Sequence, residues 1–463
     1  MTENIYLYYT NDLHSHFENW PRIVGHWKER RNHHNKMKED MFLLDVGDHV
    51  DRFHPISEAM MGKANIDLLN KAGYNWVTLG NNEGITLTHE DLYTLYDEAA
   101  FDVACANLST INAPDPTWLE PYSIQTTSNG TKIAVIGLTA PFYTFYKQMG
   151  WEVASPFDKL DELLGEIEKK ADIIVLLSHL GINDDEAIAN RYNSIDVIIG
   201  GHTHHLFKDG EYINGTLLSA AGKHGMYVGQ VALKWDKTNR KLTQKSASAY
   251  SLEMQDEDKE TVQLVENYTK EASRMLHETV AQLSQDQNAT WFETSEVMKN
   301  FVKTLKDWTD ADVAMLNAGV LLEGFPQGPV TRGDIHRKCP HPMNPCKVEL
   351  KGDQLMEVIR QSHAKRFMEL KLKGFGFRGE VIGLMVFDGV DVQSKKAQDG
   401  QEYVTKVIID GEKIDPSRTY SVATADTFTF GRLLPEIANS PKKEYFMPEL
   451  LRDLLLETLK QMP

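Results

Sequence analysis

Short apolar runs punctuate the first half of the chain. They lie at Ile5–Tyr9, Met41–Val46, Trp76–Leu79, Lys132–Leu138, Ile173–Leu177 and Val197–Ile199. Each has strand length, and most stop at Gly, Asn, Asp or His. Between several of them, as at Ser57–Lys71 and Phe157–Lys170, apolar residues recur at i, i+3, i+4 spacing, which predicts helices. Strands that alternate with helices and carry polar residues at their carboxyl ends predict a layered α/β enzyme, because ligands gather outside those ends. From Leu217–Gly229 and Gln230–Trp235 onward the pattern turns β-rich.

The segment Asp256–Leu283 is charged and helix-favouring, with Val265, Tyr268, Ala272, Met275, Leu276, Val280 and Leu283 on one stripe. It is read as a helix connecting two domains, which sets expected boundaries of 1–254, a linker helix at 255–285, and 286–463. In the second half, Ser295–Trp308 reads as a helix and Lys347–Ser362 as a strand running into a helix. Gly379–Val392 and Thr405–Val422 read as strands, and Pro448–Gln461 as an amphipathic helix.

Composition narrows the function. The 463 residues suffice for two large domains or about three at roughly 150 residues each. The formal net charge of −18 argues against binding DNA, RNA or an anionic bilayer, though not against a small phosphate ester. No apolar run approaches the roughly 18 residues of a membrane span. Three cysteines are too few for a disulfide framework. The opening residues Met1-Thr2-Glu3-Asn4 run straight into a strand with no basic or apolar leader pattern, so a cytoplasmic protein is expected.

Five polar clusters stand where apolar runs stop. They are Asp12-Leu13-His14, Gly47-Asp48, Gly80-Asn81, Ser178-His179 and Gly200-Gly201-His202-Thr203-His204. In extended backbone, residues i and i+2 project to the same side, so Asp12 with His14 and His202 with His204 are natural chelating pairs. Imidazole and carboxylate without thiolate suit Mn, Fe, Co, Ni or Zn. Asp48 could supply one oxygen to each of two ions, and Asn81 a neutral carbonyl oxygen.

In their order, these clusters resemble the signature of the calcineurin-like metallophosphoesterases. The opening Thr10-Asn11-Asp12-Leu13-His14, the form Gly200-Gly201-His202-Thr203-His204 and the stretch Lys132–Leu138 resemble the 5'-nucleotidase branch in particular. The resemblance implies a four-layer α/β/β/α sandwich followed by a second, α+β substrate domain of 5'-nucleotidase type. It implies two divalent ions, one held by Asp12, His14 and His204, the other by Asn81, His179 and His202, with Asp48 bridging. The implied reaction is phosphomonoester hydrolysis of a small nucleotide by a metal-bridging water that attacks phosphorus in line.

The chain departs from the family pattern at the catalytic dyad. Where Gly-Asn-His-Glu and an Asp two residues later are usual, it reads Gly80-Asn81-Asn82-Glu83-Gly84-Ile85. Asn82 takes the place of the catalytic His and Ile85 that of its Asp partner. An amide can donate a hydrogen bond to a phosphate oxygen but cannot deliver a proton, which is help worth about 10²–10⁴-fold. Poor leaving groups should suffer most. A pyrophosphatase or cyclic phosphodiesterase, or a weakly active nucleotide-binding protein, therefore stands as the alternative. His16, His49, His54, His205 and His224 are candidates to replace the acid.

In the second domain, Gly374-Phe375-Gly376-Phe377-Arg378-Gly379 and Val422–Phe428 resemble the stretches that carry two base-stacking rings, which points to Phe377 and Phe428. Leu316–Leu321, with Asn317 and Gly319, resembles an Asn-x-Gly-x-Arg segment but ends in Leu. Phe430-Gly431-Arg432-Leu433 replaces the usual Gly-Gly-Asp-Gly, so substitutes for the missing phosphate contacts are sought among Arg332, Arg337, Arg378 and Arg432. Cys339 and Cys346, flanking His341, have the wrong spacing for a zinc finger and are read as reduced thiols.

Overall fold

The computed structural model describes residues 2–372, 374, 376–396, 402–431 and 433–462. They fall into two compact units, 1–272 and 273–463. The division lies inside the helix Lys259–Leu276, which stops short of the expected 285 because Thr279–Leu283 is a strand. Ala281 and Leu283 are buried while Gln282 is exposed, a period of two, and the partner Gly328–Thr331 lies far along the chain.

The first unit is built on two large sheets. One has the order Lys241–Ser251, Tyr227–Asp236, Thr2–Thr10, Asp40–Asp45, Trp76–Val77, Asp102–Ala104, Leu119–Glu120. The other runs Glu211–Ile213, Thr216–Ser219, Val197–Gly200, Ile173–His179, Lys132–Thr139, Tyr122–Thr126. Alternation decides what each face packs against. Ile5, Leu7 and Tyr9 of the first sheet share one core with Ile133, Val135, Ile173, Val175 and Leu177 of the second. The intervening Ala134, Ile136, Ile174 and Leu176 face outward onto Leu160, Leu164 and Ile167 of the helix Pro156–Lys170 and Ile188 of Ile182–Arg191. On the far side of the first sheet, Tyr8 meets Trp27 edge-on. That contact belongs to the helix Trp20–Met37, which the polar sequence RRNHHNKM does not announce. The fold is thus the expected mixed α/β architecture, with two sheets face to face and helices outside. Gly137 marks a close approach, since a Cβ there would meet Ala104 O at 1.8 Å.

Thr2–Thr10, Asp40–Asp45 and Trp76–Val77 run parallel. So do Lys132–Thr139, Ile173–His179, Val197–Gly200 and Thr216–Ser219. Their carboxyl ends deliver all five polar clusters. The expected helix Ser57–Lys71 is two helices, Pro55–Met60 and Lys63–Ala72, broken at Gly62 with φ 81°.

The second unit has a five-stranded sheet in the order Met385–Asp388, Val313–Asn317, Thr419–Ala425, Pro345–Lys351, Lys443–Tyr445. The amphipathic helices Glu296–Thr309, Gly352–Ser362 and Leu451–Gln461 contribute buried faces to its core. Cys105, Cys339 and Cys346 are free and buried. Among the described residues, no helix is long and apolar enough to cross a membrane.

Candidate metal centre

Two loops are fastened together before any side chain is considered. Beyond Thr10, the N–H groups of Asp12, His14 and Ser15 donate to the carbonyls of Gly47, Asp48 and His49 at 3.1, 2.8 and 3.0 Å. Glycine is required at the contact with the third loop. A Cβ on Gly47 would meet Gly80 N at 2.2 Å, and one on Gly80 would meet Asp48 Oδ1 at 2.1 Å. Glu83, almost fully buried, ties the loops from beneath: its carboxylate accepts from the N–H of Asp48 (3.0 Å), Val50 (2.8 Å) and Gly80 (2.9 Å). The sequence reading gave Glu83 no role. Its signal, a Gly80–Glu83 capping spacing, was present in the sequence.

Five of the seven ligand-type residues do not sit in extended backbone, while His179 ends the strand Ile173–His179. Asp12, His14, Asp48, His202 and His204 have φ of 49°, 48°, 50°, 69° and 58°, the left-handed region that non-glycine residues rarely occupy. The chelating-pair reading of His202 with His204 is corrected by this. The turning backbone separates the two rings, so that His204 lies edge-on to His14 (centroids 5.3 Å apart) and His202 beside His179 (5.4 Å).

The side chains converge around two carboxylates. Asp12 Oδ1 stands 3.4 Å from His204 Nε2, 3.9 Å from His14 Nε2 and 4.0 Å from His179 Nε2. Asp48 places Oδ1 3.4 Å from His179 Nε2 and Oδ2 3.7 Å from His14 Nε2. Two groups able to hold a cation result, Asp12–His14–His204 and Asp12–Asp48–His179, with Asp12 common to both. Two buried atoms beside these carboxylates have no hydrogen-bond partner, His179 Nε2 and Asn81 Oδ1. Asn81 Oδ1 offers a lone pair as it stands and His179 Nε2 offers one on giving up its proton to a divalent ion, and the oxygen and nitrogen set fits Mn, Fe, Co, Ni or Zn. His179 Nδ1 is 2.7 Å from Val46 O, which leaves Nε2 to face the carboxylates.

The electrostatics agree. Burial alone would raise both carboxyls. At Asp12 the hydrogen bond with His204 and the charge of His179 outweigh it, and at Asp48 His179 and His14 do, so both lie below the ordinary carboxylate range. Burial opposes the charge of His179, yet Asp48 and Asp12 hold it up to about 10. Burial, with His179 beside it, pushes His202 down to about 4.

Asn82 has other work than the substrate contact expected of it. Its N–H donates to Asp48 Oδ1 at 2.8 Å, and its amide nitrogen lies 3.1 Å from both Val50 O and His14 Nδ1. Of the five candidate replacement histidines, two stand beside the site. His224 lies edge-on to His14 (5.9 Å) and stacks on His16 (3.8 Å), whose Nδ1 is 2.6 Å from Glu18. His49 is buried against Trp20 and pushed down to about 3 by burial. His54 caps Pro55–Met60, and His205 bonds Thr203.

The second unit corrects the stacking expectation. Phe377 is 2 % exposed, with one face on His341 (5.0 Å, 10°), and Phe428 is fully buried, so neither ring has a free face for a base. Asn317 and Gly319 are also buried, with the Asn317 amide donating to Ile382 O. Arg332 and Arg337 pair with Glu278 and with Glu323 and Asp334. The Arg378 guanidinium reaches Phe377 O. Phe375 and Arg432 lie outside the described residues.

Comparison with known proteins agrees with this geometry. The profile described as calcineurin-like phosphoesterase matches residues 6–206, and that of the 5'-nucleotidase C-terminal domain matches 275–432. The uncharacterized metallophosphoesterase YunD of Bacillus subtilis (strain 168) is 46% identical over 462 residues, covering 100% of both chains. A 5'-nucleotidase of Vibrio cholerae is 22% identical over 98% of this chain and 90% of its own. The solved NAD nucleotidase (NadN) of Haemophilus influenzae shares the fold with a TM-score of 0.69 at 18% identity, over 99% of this chain and 96% of that one. A family of this kind implies divalent metal ions, and the clustered carboxylates and imidazoles are candidate ligands for them. The chain is a phosphoric ester hydrolase and belongs to the calcineurin-like phosphoesterases, in the branch that carries a 5'-nucleotidase C-terminal domain.

Proposed function

We propose that this chain hydrolyses phosphate bonds of nucleotides at a two-ion centre in the first unit. Asp12, His14 and His204 would hold one ion, and Asn81, His179 and His202 the other, with Asp48 between them. The observation that carries this is the pair of unpartnered buried atoms, His179 Nε2 and Asn81 Oδ1, set against two carboxylates below their ordinary range. When bound, a pair of divalent ions supplies Lewis acidity toward phosphoryl oxygens and a water acidified near neutral pH. The chain's own part is positional. Glu83 fixes the loop of Asp48, Val46 O holds the ring of His179, and left-handed backbone at five ligand positions aims their side chains inward. The nucleotide as substrate class is supported by the 5'-nucleotidase C-terminal profile. A cytoplasmic location is part of the same proposal, supported by three free, buried cysteines.

One observation favours a second reading of the bond that is cleaved. The Asn82 amide already donates to Val50 O, and an amide carries no proton to give a leaving alkoxide. Anhydrides and strained cyclic phosphates need none. The deciding experiment strips the protein of metal and restores Mn²⁺ or Zn²⁺. It then compares AMP, a nucleotide sugar, a 2',3'-cyclic nucleotide and p-nitrophenyl phosphate. Activity on p-nitrophenyl phosphate should require metal and disappear in Asp48→Ala and His202→Ala. Unchanged rates in those variants would refute the two-ion reading, whereas a ranking with AMP first would refute only the preference for good leaving groups.

A further inference from the structure

The two nitrogens of His14 face different neighbours. Nε2 is turned into the pocket, 3.2 Å from His204 Nε2 and 3.7 Å from Asp48 Oδ2. Nδ1 lies 3.3 Å from Asp51 Oδ2 and 3.1 Å from Asn82 Nδ2. An imidazole nitrogen can bind a cation only through a free lone pair, so the ring proton must then sit on the other nitrogen. The neighbours of Nδ1 make opposite demands. A carboxylate only accepts, so Asp51 favours a proton on Nδ1 and a free Nε2. An amide nitrogen only donates, so Asn82 favours the reverse.

Asp51 is the better fixed of the two for this purpose. It is 2 % exposed, its N–H donates to Ser15 Oγ at 2.8 Å, and its Oδ1 accepts from Phe53 N at 2.9 Å. Ser15 Oγ is itself held by Ser57 Oγ (2.7 Å) and Asn65 Nδ2 (3.1 Å). The Asn82 amide has Val50 O as an alternative acceptor at 3.1 Å. We propose that Asp51 is a positioning residue that keeps the His14 proton on Nδ1 and so presents the Nε2 lone pair to the cation shared with Asp12 and His204. This rests on the two-ion reading above. One loop would then supply two carboxylates with separate tasks, Asp48 facing the ions and Asp51 orienting a ligand from behind. His179 obtains the same orientation from a backbone carbonyl, Val46 O, so its site serves as an internal control.

The test titrates Mn²⁺ into chelator-stripped protein by calorimetry. Asp51→Ala should weaken one of two sites about 10–100-fold and leave the other unchanged. Asp51→Asn keeps the size and an acceptor for Phe53 N while turning a donor toward His14, and should weaken the same site. Asn82→Ala should shift either site by less than about threefold. In the Zn²⁺-loaded protein, ¹⁵N–¹H correlation of labelled histidines should show His14 protonated at Nδ1 and ligated through Nε2. Wild-type affinity at both sites in a folded Asp51→Asn, or a His14 ring protonated at Nε2, would overturn the proposal. A wild-type protein that takes up no Mn²⁺ would overturn the two-ion reading with it.

Discussion

Each unit buries carboxylates and amides where parallel strands end, yet the two places have opposite electrostatics. In the first unit, Asp12 and Asp48 are held below the ordinary carboxylate range because hydrogen bonds and charge from the neighbouring histidines outweigh the cost of burial. In the second, Asp426 lies just past the strand Thr419–Ala425 and is raised to about 7 by burial, with only backbone N–H groups opposing. The backbones differ in the same sense. The first site is built from left-handed residues, whereas Asn317 and Ala425 cap their turns with ordinary φ of −79° and −80°. In the second unit, the Asn317 amide nitrogen and both ring nitrogens of His341 are engaged by backbone groups at Ile382, Val320 and Arg378, while Asn317 Oδ1 and Asp426 Oδ1 lack a partner just as His179 Nε2 and Asn81 Oδ1 do. A buried polar cluster at a strand end is therefore not in itself a site. Unpartnered buried atoms occur in both places, and it is the opposed charges around them that distinguish chemistry from scaffolding.

The same substitution made in both places should divide them most sharply. Asp12→Asn is expected to lower activity by more than about 10²-fold and to reduce metal content measured by elemental analysis. Asp426→Asn should leave metal content unchanged. Equal metal loss from both would erase the distinction.

Next in size is the cost of removing Glu83. Glu83→Ala leaves three buried N–H groups without their acceptor and should destabilise the first unit by about 3 kcal/mol or more, read from denaturant unfolding. A loss below about 1 kcal/mol would show that the loops of Asp48 and Gly80 hold without it.

A smaller effect concerns pH. The Asp426 carboxyl is raised in the folded chain from 3.8 to about 7, so between those values the native state binds more protons than the unfolded one. Its contribution is therefore most favourable at low pH and is lost as pH rises through that window. Asp426→Asn should accordingly raise the unfolding midpoint at pH 8 relative to wild type and change it little near pH 4. The reverse order would mean that Asp426 is a stabilised anion like Asp12.

The smallest change tests the buried rings. Phe428→Leu should cost about 1–2 kcal/mol of stability without altering KM for a nucleotide. A raised KM at unchanged stability would restore a stacking role for that position.

The seven ligand-type residues could be read from the chain because each follows an apolar run, and parallel strands bring their carboxyl ends to one edge. The unbroken apolar run Ile173–Leu177 likewise suits a strand buried on both faces. What a linear pattern cannot carry is which atom a side chain turns toward. The left-handed turns that part His202 from His204, the three N–H groups gathered by Glu83 and the approach of Asp51 behind His14 all depend on segments tens of residues apart. The helical stripe through Val280 and Leu283 misled for a related reason, since a strand forms there only because Gly328–Thr331 offers it a partner. Local periodicity thus determined the elements and the chemical inventory. The aim of lone pairs and the open or closed faces of rings were set by packing between distant segments, because hydrogen bonding and desolvation depend on distances that exist only in the folded chain.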